Sequence, residues 1–260
     1  GLKRAKPLQI KLFEAALEIG RKRLAAPDTL TLGERLIDPL LGLLVRRKVH
    51  QRFGGRLRFM VSGGAPLNYE VGAFFLALGI DILQGYGQTE SAPVISCNPP
   101  ERIRIETVGP PFRGVEVRIA EDGEICVRGE LVMKGYWNNP DATATALEGD
   151  WLHTGDIGEI DADGYLRITD RKKDIIVNSG GDNIAPQRVE GFLILEPAVH
   201  QAMVYGDRRP HLVALIVPDE AEARAWESAR GNGAARDLES ICADPAFTAH
   251  IAEAVARTNA

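Results

Sequence analysis

Apolar residues recur at close to helical spacing over residues 9 to 25, where Ile10, Leu12, Phe13, Ala16, Leu17, Ile19 and Leu24 are interleaved with lysine and arginine. An amphipathic helix is expected there. Pro27-Asp28 and Gly33 interrupt the pattern, and Asp38-Pro39 reads as the cap and first residue of a second helix running to about Val49. Its apolar stretch, Leu40-Leu41-Gly42-Leu43-Leu44-Val45, suits burial in a large domain, with Arg46, Arg47 and Lys48 satisfying terminal carbonyls; a peripheral membrane contact is the alternative. A strand follows over Leu57 to Val61, then Ser62-Gly63-Gly64-Ala65-Pro66, a helix over 67 to 79, a strand over Asp81 to Leu83, and Gly85-Tyr86-Gly87. In a parallel α/β layer both glycine-bearing loops would lie on the edge where ligands collect.

From about Thr107 the period shortens to two. Val115 to Ala120, Glu124 to Arg128, Trp151 to His153, Ile157 to Asp161 and Tyr165 to Thr169 read as strands, joined by glycine-bearing turns at Glu121-Asp122-Gly123-Glu124 and Asp161-Ala162-Asp163-Gly164. A small barrel or curled sheet is expected, with a loop over Lys134 to Pro140 and a short helix over Asp141 to Leu147. The charge run Asp170-Arg171-Lys172-Lys173-Asp174 then marks a junction. Beyond it, Ile175 to Val177, the turn Asn178 to Asn183, a helix from about Pro186, strands Ala202 to Tyr205 and His211 to Val217, and helices over 219 to 231 and 236 to 258 suggest a compact α+β domain. The expected class is therefore α/β: a partial α/β layer to about 105, a β-barrel subdomain over 106 to 169, a hinge at 170 to 173, and an incomplete smaller domain over 174 to 260.

Thirty-one basic against 36 acidic side chains leave a net charge of −5, which gives no support for nucleic acid as the main partner. The widely separated Cys97, Cys126 and Cys242 fit a reducing, cytoplasmic setting better than a disulfide scaffold. No apolar run approaches the roughly 20 residues that span a bilayer. The chain starts at Gly1 without a methionine and is expected to be a fragment.

Three side chains around Gly87 suggest a nucleotide: Tyr86 offers a flat face, Thr89 a hydroxyl donor and Glu90 a hard carboxylate for magnesium. The alternative is a turn with a helix cap. Asp156, after Gly155, has two acceptor oxygens suited to two ribose hydroxyls, or it satisfies local backbone donors in a turn. His153 stands beside Trp151, where simple packing is the alternative to a site role. The charge run around Arg171 has a solvated linker as its alternative.

Taken in order, Ser62-Gly63-Gly64-Ala65-Pro66-Leu67, Gln84-Gly85-Tyr86-Gly87-Gln88-Thr89-Glu90, Val108-Gly109-Pro110-Pro111, Gly123-Glu124, Met133-Lys134-Gly135-Tyr136, His153-Thr154-Gly155-Asp156, Asp163-Gly164, Asp170-Arg171-Lys172-Lys173-Asp174 and Asn183-Ile184-Ala185-Pro186 form a pattern. It resembles that of the adenylate-forming (AMP-forming) acyl-CoA synthetases, most of all the long-chain fatty acid CoA ligases, over nearly the whole chain. The resemblance implies activation of a fatty acid by ATP with magnesium, then transfer of the acyl group to coenzyme A. It places Gly64, Ala65, Gln84, Gly85 and Tyr86 around the adenine, Thr89 on the α-phosphate, Glu90 on magnesium, and Asp156 and Arg171 on the ribose. It makes Lys173 the pivot of a domain rotation and lets Ser179, Gly180 and Gly181 line the passage for pantetheine.

Departures from the family pattern stand at Val177 and Asp182, where some relatives carry basic or amide side chains, and at Glu106, a place often held by glycine. The family's Ser/Thr/Gly-rich phosphate loop and C-terminal lysine are not found, so truncation at both ends and poor adenylation by the chain alone are expected. Ligases that load a carrier protein or activate an aryl acid, and a noncatalytic nucleotide-binding module, remain the alternatives.

Overall fold

The computed structural model describes residues 6–230 and 236–258. The chain divides into two compact units, Gly1–Thr169 and Asp170–Ala260.

The first unit opens with helix α1 (Pro7–Ala25), which buries Ala16, Ile19 and Gly20. Helix α2 is Leu32–Leu41, earlier than the Asp38-Pro39 start expected from sequence. The decisive signal is Thr31-Leu32-Gly33-Glu34: the Thr31 hydroxyl accepts the Glu34 N–H at 3.2 Å, and Glu34 accepts the Thr31 N–H at 2.8 Å. Pro39 therefore sits inside the helix, a π turn (Gly42–Arg46) follows it, and α3 (Arg47–Arg52) completes the run. The apolar stretch is not wholly buried. Leu41 and Val45 join Ala16 and Ile19 in a core cluster, while Leu32, Leu36, Leu40 and Leu43 are exposed.

Arg46 does not cap the end of its own helix. Its guanidinium meets Asp38 at 2.5 Å and donates to the carbonyls of Ala77 at 2.9 Å and of Ala16 and Asp38 at 3.2 Å, tying α1 and α2 to the helix that ends at Ala77. Strand β1 (Met60–Ser62), helix α4 (Tyr69–Ala77, capped by Asn68) and strand β2 (Ile82–Tyr86) form the parallel unit, with Ser62 opposite Gln84. Strand β3 (Ser96–Cys97) pairs antiparallel with β2.

Strands β4 (Glu116–Ile119) and β5 (Glu124–Arg128), helix α5 (Pro140–Ala146), and strands β6 (Leu147–Glu148), β7 (Trp151–Ile160) and β8 (Leu166–Arg171) follow. The strands make a five-stranded sheet in the order β4-β5-β7-β6, with β8 on β7; it is not a closed barrel, which corrects that one of the two expected forms and leaves an open sheet. The two strands expected over Trp151 to Asp161 are one strand interrupted by a bulge. Tyr86, Ile95, Val108, Ile125, Val127 and Leu166 form the core beneath this sheet.

The second unit contains the hairpin β9 (Ile176–Val177) and β10 (Asn183–Ile184), helix α6 (Pro186–Leu193), and the hairpin β11 (Val199–Tyr205) and β12 (Val213–Pro218). Helices α7 (Glu220–Ala229), α8 (Leu238–Cys242) and α9 (Pro245–Thr258) follow. The end of the first helix expected here, at residue 231, lies outside the described residues. The single helix expected over 236 to 258 is two, because Pro245 disfavours a helical residue before it and Asp244 turns its carboxylate to the Ala246 N–H at 2.9 Å. Ile176, Leu193 and Val204 form one core cluster, and Ala223, Ile241 and Phe247 another. Among the described residues no helix is long and apolar enough to cross a membrane.

Candidate functional site

Because β1 and β2 run parallel with Ser62 beside Gln84, the segment Gly63-Gly64-Ala65 leaves the sheet on the same edge as the residues after Tyr86. Gly64 has φ +81° and, like Ala65, is exposed. Strand β2 runs further than expected, so Gly85 and Tyr86 are strand residues, opposite Cys97 and Ser96. The Gln84 side chain is buried and turned to backbone: it accepts the Leu67 N–H at 2.7 Å and donates to the Thr107 carbonyl at 3.1 Å. It supports the loop from behind. Gly87 is needed for a close approach, since a Cβ there would lie 1.9 Å from the Pro93 carbonyl oxygen.

Tyr86 is 8% exposed, so little of its ring faces outward. Its hydroxyl donates to Asp156 Oδ2 at 2.6 Å, a link that joins β2 to β7. Asp156 reaches that position through the bulge. Cys126 faces His153 and Glu124 faces Ile157, so Ile125 alone stands against Thr154, Gly155 and Asp156. Gly155 takes φ +73°, which a residue with a Cβ adopts at a cost. The Thr154 hydroxyl donates to the Ile125 carbonyl at 2.7 Å and accepts the Asp156 N–H at 3.2 Å. Glu124 accepts the Gly155 N–H at 2.8 Å. The bulge turns the Asp156 carboxylate out of the strand toward Tyr86.

Thr89 and Glu90 lie in a single 3-10 turn, Thr89–Ser91, and Thr89 is exposed. The cap of that turn is made by Gln88 and Ser91: the Ser91 hydroxyl accepts the Gln88 N–H at 3.1 Å and donates to its carbonyl at 2.9 Å. Glu90 is thus released from capping. Its Oε1 accepts the Tyr136 hydroxyl at 2.7 Å, and its carbonyl accepts the Met133 N–H at 2.8 Å, so the 133–136 loop docks on Glu90 twice. Glu90 holds the Tyr136 proton, pushing that phenol above its ordinary range. Tyr136 had a place in the sequence pattern but no assigned partner; 46 residues separate the pair, and no local rule joins them.

Among the described residues no group of three or more His, Cys, Asp or Glu side chains is assembled for a metal ion. A single half-buried carboxylate at Glu90 fits magnesium in its usual manner, with one or two protein oxygens and the remainder from phosphate and water.

His153 is not merely packed. Its Nδ1 lies 3.1 Å from Glu124 Oε2 and its Nε2 3.2 Å from Glu148 Oε2; Cys126 Sγ is 3.7 Å away and Arg118 reaches Glu148 at 3.8 Å. The hydrogen bond to Glu124 raises the imidazole pKa above its ordinary value, with burial opposing and Glu148 adding. A pKa raised by folding stabilises the protein below the unfolded value, about 6.5, and that contribution is lost as pH rises through the folded value. The melting temperature of wild type should therefore exceed that of His153→Gln most between about pH 5 and 6.5, with the gap shrinking at higher pH. A gap independent of pH would show that His153 stays neutral.

In the second unit Arg171 ends β8, and its backbone N–H meets the Asp170 carboxylate at 2.9 Å. Lys173 is exposed in the turn closed by the Asp174 N–H on the Arg171 carbonyl at 2.9 Å. Ser179, Gly180 and Gly181 form the tip of the β9–β10 hairpin. Asn178 Oδ1 accepts the N–H groups of Gly180 and Asp182 at 2.9 Å each, and Asp182 accepts the Asn178 amide at 2.9 Å. Asp182 therefore closes the turn, which accounts for an acid at this position.

The family described as AMP-binding enzyme matches residues 25–137, and that described as AMP-binding enzyme C-terminal domain matches residues 173–256. The long-chain-fatty-acid–CoA ligase FadD15 of Mycobacterium tuberculosis is 41% identical over 216 residues, covering 83% of this chain and 36% of the relative. Long chain acyl-CoA synthetase 1 of Arabidopsis thaliana is 35% identical over 230 residues, covering 82% of this chain and 34% of the relative. Among solved structures, the amide bond synthetase McbA of Marinactinospora thermotolerans is 34% identical with TM-score 0.53, covering 72% of this chain and 39% of that one. The adenylation domain of a carboxylate reductase from Mycobacterium chelonae, at 21% identity, shares the fold alone, with TM-score 0.62 over 95% of this chain and 37% of that one. The chain thus spans well under half the length of these curated relatives. With both family patterns matched in order over most of its length, the chain belongs to the AMP-binding, adenylate-forming enzymes.

Proposed function

We propose that this chain supplies the nucleotide site of an ATP-dependent fatty acid–CoA ligase. In the first half-reaction a carboxylate oxygen of the fatty acid attacks the α-phosphorus of ATP, and the bond to pyrophosphate breaks. In the second, the coenzyme A sulfur attacks the acyl carbon of the adenylate, AMP leaves with the C–O electron pair, and the thiol proton passes to solvent. Asp156 accepts from the ribose hydroxyls, the Gly64-Ala65 backbone lies against the adenine, and Thr89 donates to the α-phosphate. Glu90 would hold magnesium, whose charge offsets that of the phosphates. The roles of Arg171, Lys173 and Ser179 to Gly181 rest on the sequence resemblance. A cytoplasmic setting suits the three free thiols, Cys97, Cys126 and Cys242. The choice of a long-chain acid rests on the relatives' names, since their similarity runs through both halves of the chain.

The observation that carries this reading is the Tyr86–Asp156 hydrogen bond, which fixes a bulge-borne carboxylate on the strand beside the Gly63–Ala65 loop. Asp156→Ala should weaken AMP binding by about 1.5 to 3 kcal/mol, the range for a hydrogen bond to a charged group. Calorimetric titration of a variant with native circular dichroism reads this directly. Unchanged affinity would remove Asp156 from the site.

A further inference from the structure

We propose that Glu124 is a positioning residue for recognition of the ribose, acting through the Gly155 backbone rather than touching the nucleotide. The inference rests on the reading of Asp156 as the ribose acceptor. Glu124 is 5% exposed, a costly place for a carboxylate unless its oxygens are engaged. One oxygen accepts the Gly155 N–H at 2.8 Å and the other faces His153 Nδ1 at 3.1 Å. Both contacts grip the strand on either side of Thr154, at the point where it leaves the ladder.

The placement explains why a buried acid stands at the start of β5. A bulge leaves backbone groups without ladder partners, and here Ile125 is the sole residue opposite Thr154, Gly155 and Asp156. Its carbonyl takes the Thr154 hydroxyl, while Glu124 Oε1 takes the Gly155 N–H. Without that acceptor the Thr154–Gly155 peptide loses its anchor, and the Asp156 carboxylate beyond it loses its fixed direction against the Tyr86 hydroxyl. A glutamine could still accept from Gly155, whereas alanine or methionine could not.

The test compares AMP with 2′-deoxy-AMP by titration calorimetry on the full-length protein, with amide exchange at Gly155 followed by NMR or mass spectrometry. Wild type should prefer AMP by about tenfold, the loss of one hydrogen bond to a charged group. Glu124→Ala should bring that ratio near one and speed exchange at Gly155, and Glu124→Gln should restore most of both. Should the alanine variant not fold, Glu124→Met fills the space without offering an acceptor and carries the same comparison. A folded Ala or Met variant that keeps the wild-type ratio overturns the proposal, as does a glutamine variant that behaves like alanine. Failure of the underlying reading is distinguishable, because wild type itself would then show no preference for the 2′-hydroxyl.

Discussion

Replacing Glu90 by alanine in the full-length protein is expected to cut acid-dependent pyrophosphate formation by about a hundredfold or more, while thioester formation from added acyl-adenylate stays nearly intact. The reason is charge. A carboxylate attacking a triphosphate brings anion against anion, so a group that holds magnesium acts chiefly on that step; once pyrophosphate has left, less charge needs holding. The structure narrows the competing explanation. Were Glu90 a helix cap, its loss would weaken fold and both half-reactions together, but Gln88 and Ser91 make that cap between themselves. The variant forfeits only an exposed hydrogen bond from Tyr136, worth on the order of 1 kcal/mol. Measuring both half-reactions and the melting temperature on the same preparation separates the cases. Proportionate losses in a destabilised protein would remove the metal-ligand role.

The second large effect concerns stability. Arg46→Met should destabilise the fold by about 3 to 5 kcal/mol, the range for breaking a buried ion pair from one side. The Arg46 and Asp38 side chains are 11% and 15% exposed, and the guanidinium also serves the carbonyls of Ala16 and Ala77. Removing it takes the donor from the terminal carbonyl of Ala77, while the Ala16 carbonyl keeps its helical partner. Asp38 keeps Arg23 at 2.8 Å, which sets the expectation toward the lower end. Arg46→Lys should rescue little, because one ammonium cannot reproduce a planar fork that reaches three helices. Urea denaturation reads the difference, and a loss below about 1 kcal/mol would show that the cluster relaxes around the gap.

The parallel strand–loop–helix–strand unit was legible because its apolar runs are short and punctuated by glycine, and the observed Ser62–Gln84 register has both loops on one edge. The second helix was misread because two start signals compete within a few residues. Asp38-Pro39 is a respectable start, yet the reciprocal Thr31–Glu34 pair wins, and Asp38 is drawn instead into ion pairs with Arg23 and Arg46. Trp151 to Ile160 looked like two strands since Thr154-Gly155-Asp156 breaks the alternation; the ladder resumes across the bulge because Glu124 and Ile125 supply partners from the neighbouring strand. Closure of that sheet was not legible at all, as alternation within strands carries no information about which edge strands meet. In the candidate site, residue types suggested which chemistry to look for. The pairings Tyr86–Asp156 and Tyr136–Glu90 span 70 and 46 residues and belong to the tertiary fold.

The central claim is that the edge formed by β1, β2 and the β7 bulge receives the nucleoside part of ATP. The most direct measurement is a crystal structure of the protein with AMP bound. The account predicts the adenine against the Gly64-Ala65 backbone and a ribose hydroxyl within about 2.5 to 2.9 Å of the Asp156 carboxylate, with the Tyr86 hydroxyl still on Asp156. AMP bound elsewhere, or bound here with its ribose turned away from Asp156, would contradict it.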